Sequence, residues 1–122
     1  LALTLALIMF DFEKLVIYNK AKSYNKKVNA FLISNKLNRT IKDQLIRASF
    51  SIMLNIAEGS GRYSKKDKRN FFVISRGSVF ECAAIFDYLK EIGEIKEEQF
   101  NSFYTHLDEL SRMLWALIKS NT

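Results

Sequence analysis

A chain of 122 residues fits one domain and is long enough to bury roughly 65% or more of its unfolded surface in a single core. With 48% hydrophobic and 26% charged residues it has the composition of a folded protein, and no apolar run approaches the roughly 20 residues that a membrane-spanning helix needs. A single cysteine excludes an intrachain disulfide framework and fits a reducing, cytoplasmic compartment, while a formal charge of +6 directs attention to anionic partners.

The chain opens on LALTLALIMF, an apolar run without a basic segment before it or a good small-residue cleavage site after it. Residues 1–9 are set apart as an upstream extension or cloning remnant, with Met9 as the natural start. The alternative is a native segment that packs on the domain or on a neighbouring subunit. Residues 10–122 form the domain. It contains no proline and only four glycines, which favours long helices joined by short connections.

With Asp11 as N-cap, the helical spacing of Leu15, Tyr18, Ala21, Tyr24 (or Asn25), Val28, Phe31 and Leu32 predicts a first helix over 12–33. Turn-forming residues 34–38 end it. A second helix over 39–60 carries Ile41, Leu45, Ala48, Ile52 and Ile56 on one face, with Thr40 and Asp43 at capping-box spacing and Gly59 and Gly61 as its exit. The third opens at Ser64, with Asp67 three residues on, and runs to about residue 92 before Gly93 as a left-handed terminator. Its inward stripe reads Phe71, Ile74, Ser78, Cys82, Ile85 and Leu89, flanked by Phe72, Val79 and Phe86. The fourth carries Phe100, Phe103, Leu107, Leu110, Leu114, Leu117 and Ile118. No segment alternates with period two. The expected architecture is an all-α, antiparallel up-down-up-down four-helix bundle. Cys82, on the apolar stripe, reads as a buried structural thiol rather than a reactive one, and His106 as a residue flanking the Phe103 and Leu107 stripe.

Several helices are apolar on more than one stripe: Met53 and Leu54 on the second, Phe72, Val73 and Val79 on the third, Tyr104, Met113 and Trp115 on the fourth. A monomeric bundle needs about three apolar positions per heptad. The surplus predicts self-association, against the alternative of scattered exposed apolar residues.

The charge is uneven. From Lys14 to Arg76 there are fifteen basic residues against three acidic, and from Gly77 onward four basic against eight acidic. The densest cluster, Arg62, Lys65, Lys66, Lys68 and Arg69, stands at the start of the third helix, where a positive partial charge already exists. An external polyanion would relieve that repulsion, and nucleic acid is the obvious one. Tyr63 beside it offers a ring for a base. The competing explanation is a solvated, lysine-rich corner.

Polar residues also fall beside the apolar stripes. Asn55 and Glu58 share a face of the second helix, and Ser78 and Glu81 a similar one on the third. Two carboxylates can mean acid–base or metal chemistry, but the Glu-x-x-His motifs of di-metal bundles are absent. The preferred expectation is a structural network in which Arg47, Arg62 or Arg76 neutralises the glutamates, so that Arg47, Asn55, Glu58, Arg76, Ser78 and Glu81 set helix register. Neither a catalytic constellation nor a metal site nor a cofactor is expected.

Phe10-Asp-Phe-Glu-Lys-Leu, then Ser51-Ile-x-x-Asn-Ile-Ala-Glu-Gly-x-Gly-Arg62, Ser64-x-x-Asp67, Arg69-Asn-Phe71 and Gly77-Ser-x-x-Glu81 together resemble the four helix bundle protein family. That family was first named for a protein encoded in intervening sequences of 23S ribosomal RNA genes. The resemblance covers nearly all of 10–120 and implies an antiparallel bundle assembled as a homopentamer; it also supports Met9 as the start. Most members have no established activity. A related branch, the accessory proteins of diversity-generating retroelements, is similar in fold and implies a basic pentameric barrel that binds nucleic acid and a reverse transcriptase. The expected function is therefore a homo-oligomeric scaffold binding RNA or DNA through its basic surface, with a protein adaptor for an acidic or nucleic-acid-associated partner, such as a reverse transcriptase, as the alternative.

Overall fold

A computed structural model describes residues 10–122, and the run of residues 1–9 lies outside the described residues. Four helices follow one another, α1 (Val16–Ser34), α2 (Arg39–Ser60), α3 (Lys65–Glu91) and α4 (Glu97–Ser120), with no strand among the described residues. The first starts later than the periodicity predicts. Asp11–Lys14 form a separate 3-10 turn, and Leu15 is extended, at φ −76° and ψ 127°. Asp11 therefore does not cap α1. The Asn19 amide instead donates to the carbonyls of Glu13 and Leu15, both at 3.0 Å, which ties the turn to the helix.

The start of α2 also differs. Its cap is Asn38, whose side-chain oxygen accepts from the Thr40 amide at 2.8 Å and the Ile41 amide at 3.4 Å, so the Thr40/Asp43 pair is not needed. At α3 the cap is as expected: Ser64 Oγ accepts from the Asp67 amide at 3.1 Å. Its other end closes as a Schellman turn, with Gly93 at φ +76°, the Glu94 amide on the Leu89 carbonyl and the Gly93 amide on Lys90.

Connections of four or five residues make successive helices antiparallel neighbours. The packing closes a ring, α1 on α2, α2 on α3, α3 on α4 and α4 back on α1, with α2–α3 the most extensive seam and α1–α4 the slightest. The core comes from one stripe of each helix: Ile17, Ala21, Tyr24, Val28, Phe31 and Leu32 of α1; Leu45, Ala48, Ile52 and Ile56 of α2; Phe100, Phe103, Leu107, Leu110 and Leu114 of α4. On α3 the buried residues are Phe72, Ser75, Ser78, Val79, Cys82, Phe86 and Leu89. That helix is rolled by one residue from the predicted register, leaving Ile74 exposed. Both registers have helical spacing and share Ser78, Cys82 and Leu89. The observed one sends two phenylalanines to the centre and two serines toward α2.

The serines can face α2 because they find partners there. Ser75 Oγ donates to the Ile52 carbonyl at 2.8 Å, and Ser78 Oγ to Ser51 Oγ at 2.7 Å. One layer on, Tyr24 Oη lies 3.2 Å from Ser49 Oγ, which is 3.6 Å from Cys82 Sγ. Burial raises the Cys82 thiol above its ordinary pKa, so it stays protonated and unreactive in the fold.

Gly59 is not an exit from α2 but a close-packing point inside it. It is buried, and a Cβ there would lie 2.8 Å from Phe72 Cε1 and 3.0 Å from Phe71 Cβ. Gly59→Ala is expected to destabilise the fold although alanine is the better helix former by roughly 0.5–1 kcal/mol. Pushing back a buried ring and a Cβ anchored to its own backbone costs about 1–3 kcal/mol. Chemical denaturation reads the sign: a gain in stability would show that α2 and α3 can separate at no cost.

Candidate nucleic-acid interface

The five predicted cations are placed together at the α2–α3 turn and the first turns of α3. Their settings differ. Arg62 is pinned, 3.4 Å from Glu58 and with its guanidinium 4.5 Å from the centre of the Phe71 ring. Lys68 is also tied, its ammonium donating to the Ser60 carbonyl at 3.0 Å. Lys65 and Lys66 are exposed, Arg69 is half-buried, and none of the three has a carboxylate partner among the described residues. Tyr63 between them is fully exposed. The result is a cationic corner on a helix end whose own amides add to its positive potential.

The α1 lysines divide between two seams. Lys22 and Lys26 rim a groove of about 600 Å³ between α1 and α2, whose floor includes Val28, Leu32, Ile46, Phe50 and Met53, with no carboxylate in its lining. Lys20 and Lys27 turn toward α4. Lys20 pairs with Glu109 at 3.0 Å, while Lys27 donates to Ser102 Oγ at 2.6 Å, sits 3.4 Å from His106 Nδ1 and lies over the Phe103 ring. His106 thus has a partner that its neighbours in sequence do not reveal.

Burial first, and then the Lys27 and Lys20 cations, hold the His106 pKa below its ordinary 6.5, against an opposing pull from Glu109. The ring is therefore neutral in the fold, while the unfolded chain takes up a proton near pH 6.5. Stability present above that value is lost as the pH falls from it through the depressed folded pKa. Melting temperature should fall between about pH 7.5 and pH 5, and less steeply in His106→Gln. Equal slopes would show that other groups carry the acid sensitivity.

The six polar residues expected to form one network do not. Asn55 and Ser78 do meet, both bonded to Ser51. Glu58 is paired with Arg62, one of the three arginines expected to neutralise it, but at the surface, and Arg47 and Glu81 are exposed. Arg76 faces the opposite seam, where its Nε donates to the Ser111 carbonyl at 3.2 Å. Small hydroxyls on facing helices satisfy one another without the cost of burying a charge, so Arg47, Glu58 and Glu81 stay in water. Among the described residues no three histidine, cysteine or acidic side chains are grouped to hold a metal ion. No described helix is long and apolar enough to cross a membrane.

The Arg76 arrangement was not legible in the sequence. Its guanidinium lies 4.8 Å from the Phe80 ring and 5.2 Å from Trp115, a residue of another helix, and Lys119 covers Trp115 at 5.7 Å. Only the spacing of Arg76 and Phe80, one turn apart, offered a signal.

Compared with known proteins, the chain matches the sequence model of one family, described as 23S rRNA-intervening sequence protein, over residues 13–116. Its fold is similar to the crystal structure of a protein with unknown function from the S23 ribosomal protein family of Bacteroides thetaiotaomicron VPI-5482. The TM-score is 0.80 at 23% identity, over 85% of this chain and 99% of that one. No curated protein matches.

Proposed function

The chain belongs to the 23S rRNA-intervening sequence protein family, and from that premise and its surface we propose a non-catalytic, homo-oligomeric, cytoplasmic scaffold that binds RNA or DNA. The observation that carries the proposal is the corner of Arg62, Lys65, Lys66, Lys68 and Arg69, where Lys65, Lys66 and Arg69 have no carboxylate partner among the described residues. Phosphates would supply the missing anions, and backbone contacts of this kind bind without reading sequence. A ring of copies, five in the arrangement the family resemblance implies, repeats the corner and converts weak single contacts into avidity.

Self-association is supported by exposed apolar residues on α2 and α3, including Leu54 at 58% and Ile74 at 51% exposure. Light scattering should give a mass near five times that of one chain, and Leu54→Lys with Ile74→Glu should lower it. A monomer at working concentration would refute the assembly.

The binding test is titration of structured RNA and duplex DNA across salt. Affinity should be measurable at about 50 mM salt and fall by orders of magnitude by about 200 mM. No detectable binding at the lower salt would sink the nucleic-acid role.

One observation favours a second role as a protein adaptor. The α1–α2 groove joins an apolar floor to a lysine rim, which suits an acidic amphipathic segment of a partner such as a reverse transcriptase. Capture of such a partner that survives nuclease treatment would favour it.

A further inference from the structure

We propose that the groove between α3 and α4 built on Arg76, Phe80 and Trp115 is a stacking platform for unpaired bases, so that the preferred ligand of the cationic corner is single-stranded nucleic acid. This rests on the nucleic-acid role proposed above and adds the class of ligand and a second contact surface.

The groove has a volume of about 370 Å³ and is lined by Val73, Arg76, Gly77, Phe80, Trp115 and Ile118. Two aromatic rings are half exposed in it, Phe80 at 56% and Trp115 at 50%. Apolar rings brought together in one groove, unlike single exposed ones, mark a contact surface. Between them the Arg76 guanidinium is held in place, 4.8 and 5.2 Å from the two ring centres and bonded through Nε to the Ser111 carbonyl. That bond engages one of its donor groups, and the planar fork has others to offer. The space above Gly77 is open, with no atom within 4 Å of where a Cβ would stand.

Charge complementarity selects the occupant. The lining contains a cation and no carboxylate, and Lys119 stands over Trp115. Of the acids flanking these residues in sequence, Asp108 is engaged by Arg112 at 3.0 Å, and Glu81, next to Phe80, is exposed outside the lining. Arg69 precedes Arg76 by two helical turns on the same stripe of α3, roughly 10 Å along the axis. The platform is therefore continuous with the corner: a strand whose phosphates lie on Lys65, Lys66 and Arg69 is led toward the rings. Aromatic faces with an adjacent guanidinium and a basic track hold single strands regardless of sequence, because every base has a π face. A duplex hides those faces and could use only the corner. An acidic protein segment could meet the same lining, but the row of cations that continues from the corner along α3 into the groove favours the strand.

Trp115 is the only tryptophan of the chain, so the platform carries its own reporter. The full chain is titrated with a fluorescein-labelled oligo-dT, with an oligo-rU and with a duplex of equal length, following anisotropy and tryptophan emission together. The single strands should quench Trp115 over the same concentrations that raise anisotropy. Trp115→Leu and Phe80→Leu, which keep apolar bulk, should each weaken the single strands about tenfold and leave the duplex unchanged. Quenching is read on the unaltered chain, so it decides the matter even if a leucine variant misfolds. Binding with unquenched Trp115 and unaltered leucine variants would overturn the platform and leave the corner standing. A fall in oligomer mass in those variants would make the groove a subunit interface and equally overturn it. No binding of any strand at low salt would defeat both the platform and the role it rests on.

Discussion

Replacing Phe103 with alanine is expected to cost about 3–5 kcal/mol, the range for deleting a buried phenylalanine, which is a large share of the roughly 5–15 kcal/mol that holds a domain folded. Phe103 is 3% exposed and joins three helices. Its ring stacks on Phe86 of α3 at 4.3 Å between centres and 13° between planes, and meets Phe31 and Tyr24 of α1 edge-on at 5.6 and 6.1 Å. Lys27 Nζ lies over the same ring at 5.1 Å. Phe103 thus meets three residues of α1, and the α1–α4 seam is the slightest of the four. The loss should therefore be uneven, with α1 amides exchanging hydrogen sooner than those of α2 and α3, whose shared seam is intact. Phe103→Leu keeps most of the apolar volume and should cost much less. A denaturation midpoint that hardly moves in Phe103→Ala would mean the aromatic cluster collapses to fill the space.

How much of this was legible in the sequence depended on how singular each pattern was. In α4 the stripe of Phe100, Phe103, Leu107, Leu110 and Leu114 is apolar at every turn while its neighbours are broken by polar residues, and those five are buried. On α3 two neighbouring stripes are both apolar enough. What separates them is a hydrogen bond from Ser75 to the Ile52 carbonyl, a partner 23 positions away. A serine in the core cannot be assigned before its acceptor is known. Gly59 misleads for a related reason, since a glycine near a helix end signals a cap unless another helix presses on it, and Phe72 does. Glu58 lies three residues from Asn55, on a neighbouring face, yet proximity on a helix does not decide whether a carboxylate turns inward or to an arginine four residues on. The cationic corner was readable because its members are nearly consecutive. The Arg76–Trp115 pairing was not, because it joins residues far apart in the chain.

Neutralising that corner should separate function from stability by sign. With Arg62, Lys65, Lys66, Lys68 and Arg69 all changed to glutamine, affinity for RNA or DNA at about 50 mM salt should drop a hundredfold or more, and the slope of log affinity against log salt should flatten, for each phosphate no longer neutralised, by roughly 0.7 on a single strand and roughly 0.9 on duplex DNA. Stability should move differently at different positions. Lys65 and Lys66 stand in the first turn of α3, where cations oppose the helix dipole and only Asp67 counters them. Lys65→Gln with Lys66→Gln should therefore hold or raise the melting temperature while weakening binding. Arg62 and Lys68 also serve the fold, through Phe71, Glu58 and the Ser60 carbonyl, so Arg62→Gln with Lys68→Gln should weaken binding and lower the melting temperature together. A solvated corner kept for its charge alone would show the stability changes without any change in affinity. Two cations retained against the local electrostatics of their own helix need an anion to account for them, and the opposed signs at Lys65 and Lys66 are where that account can fail.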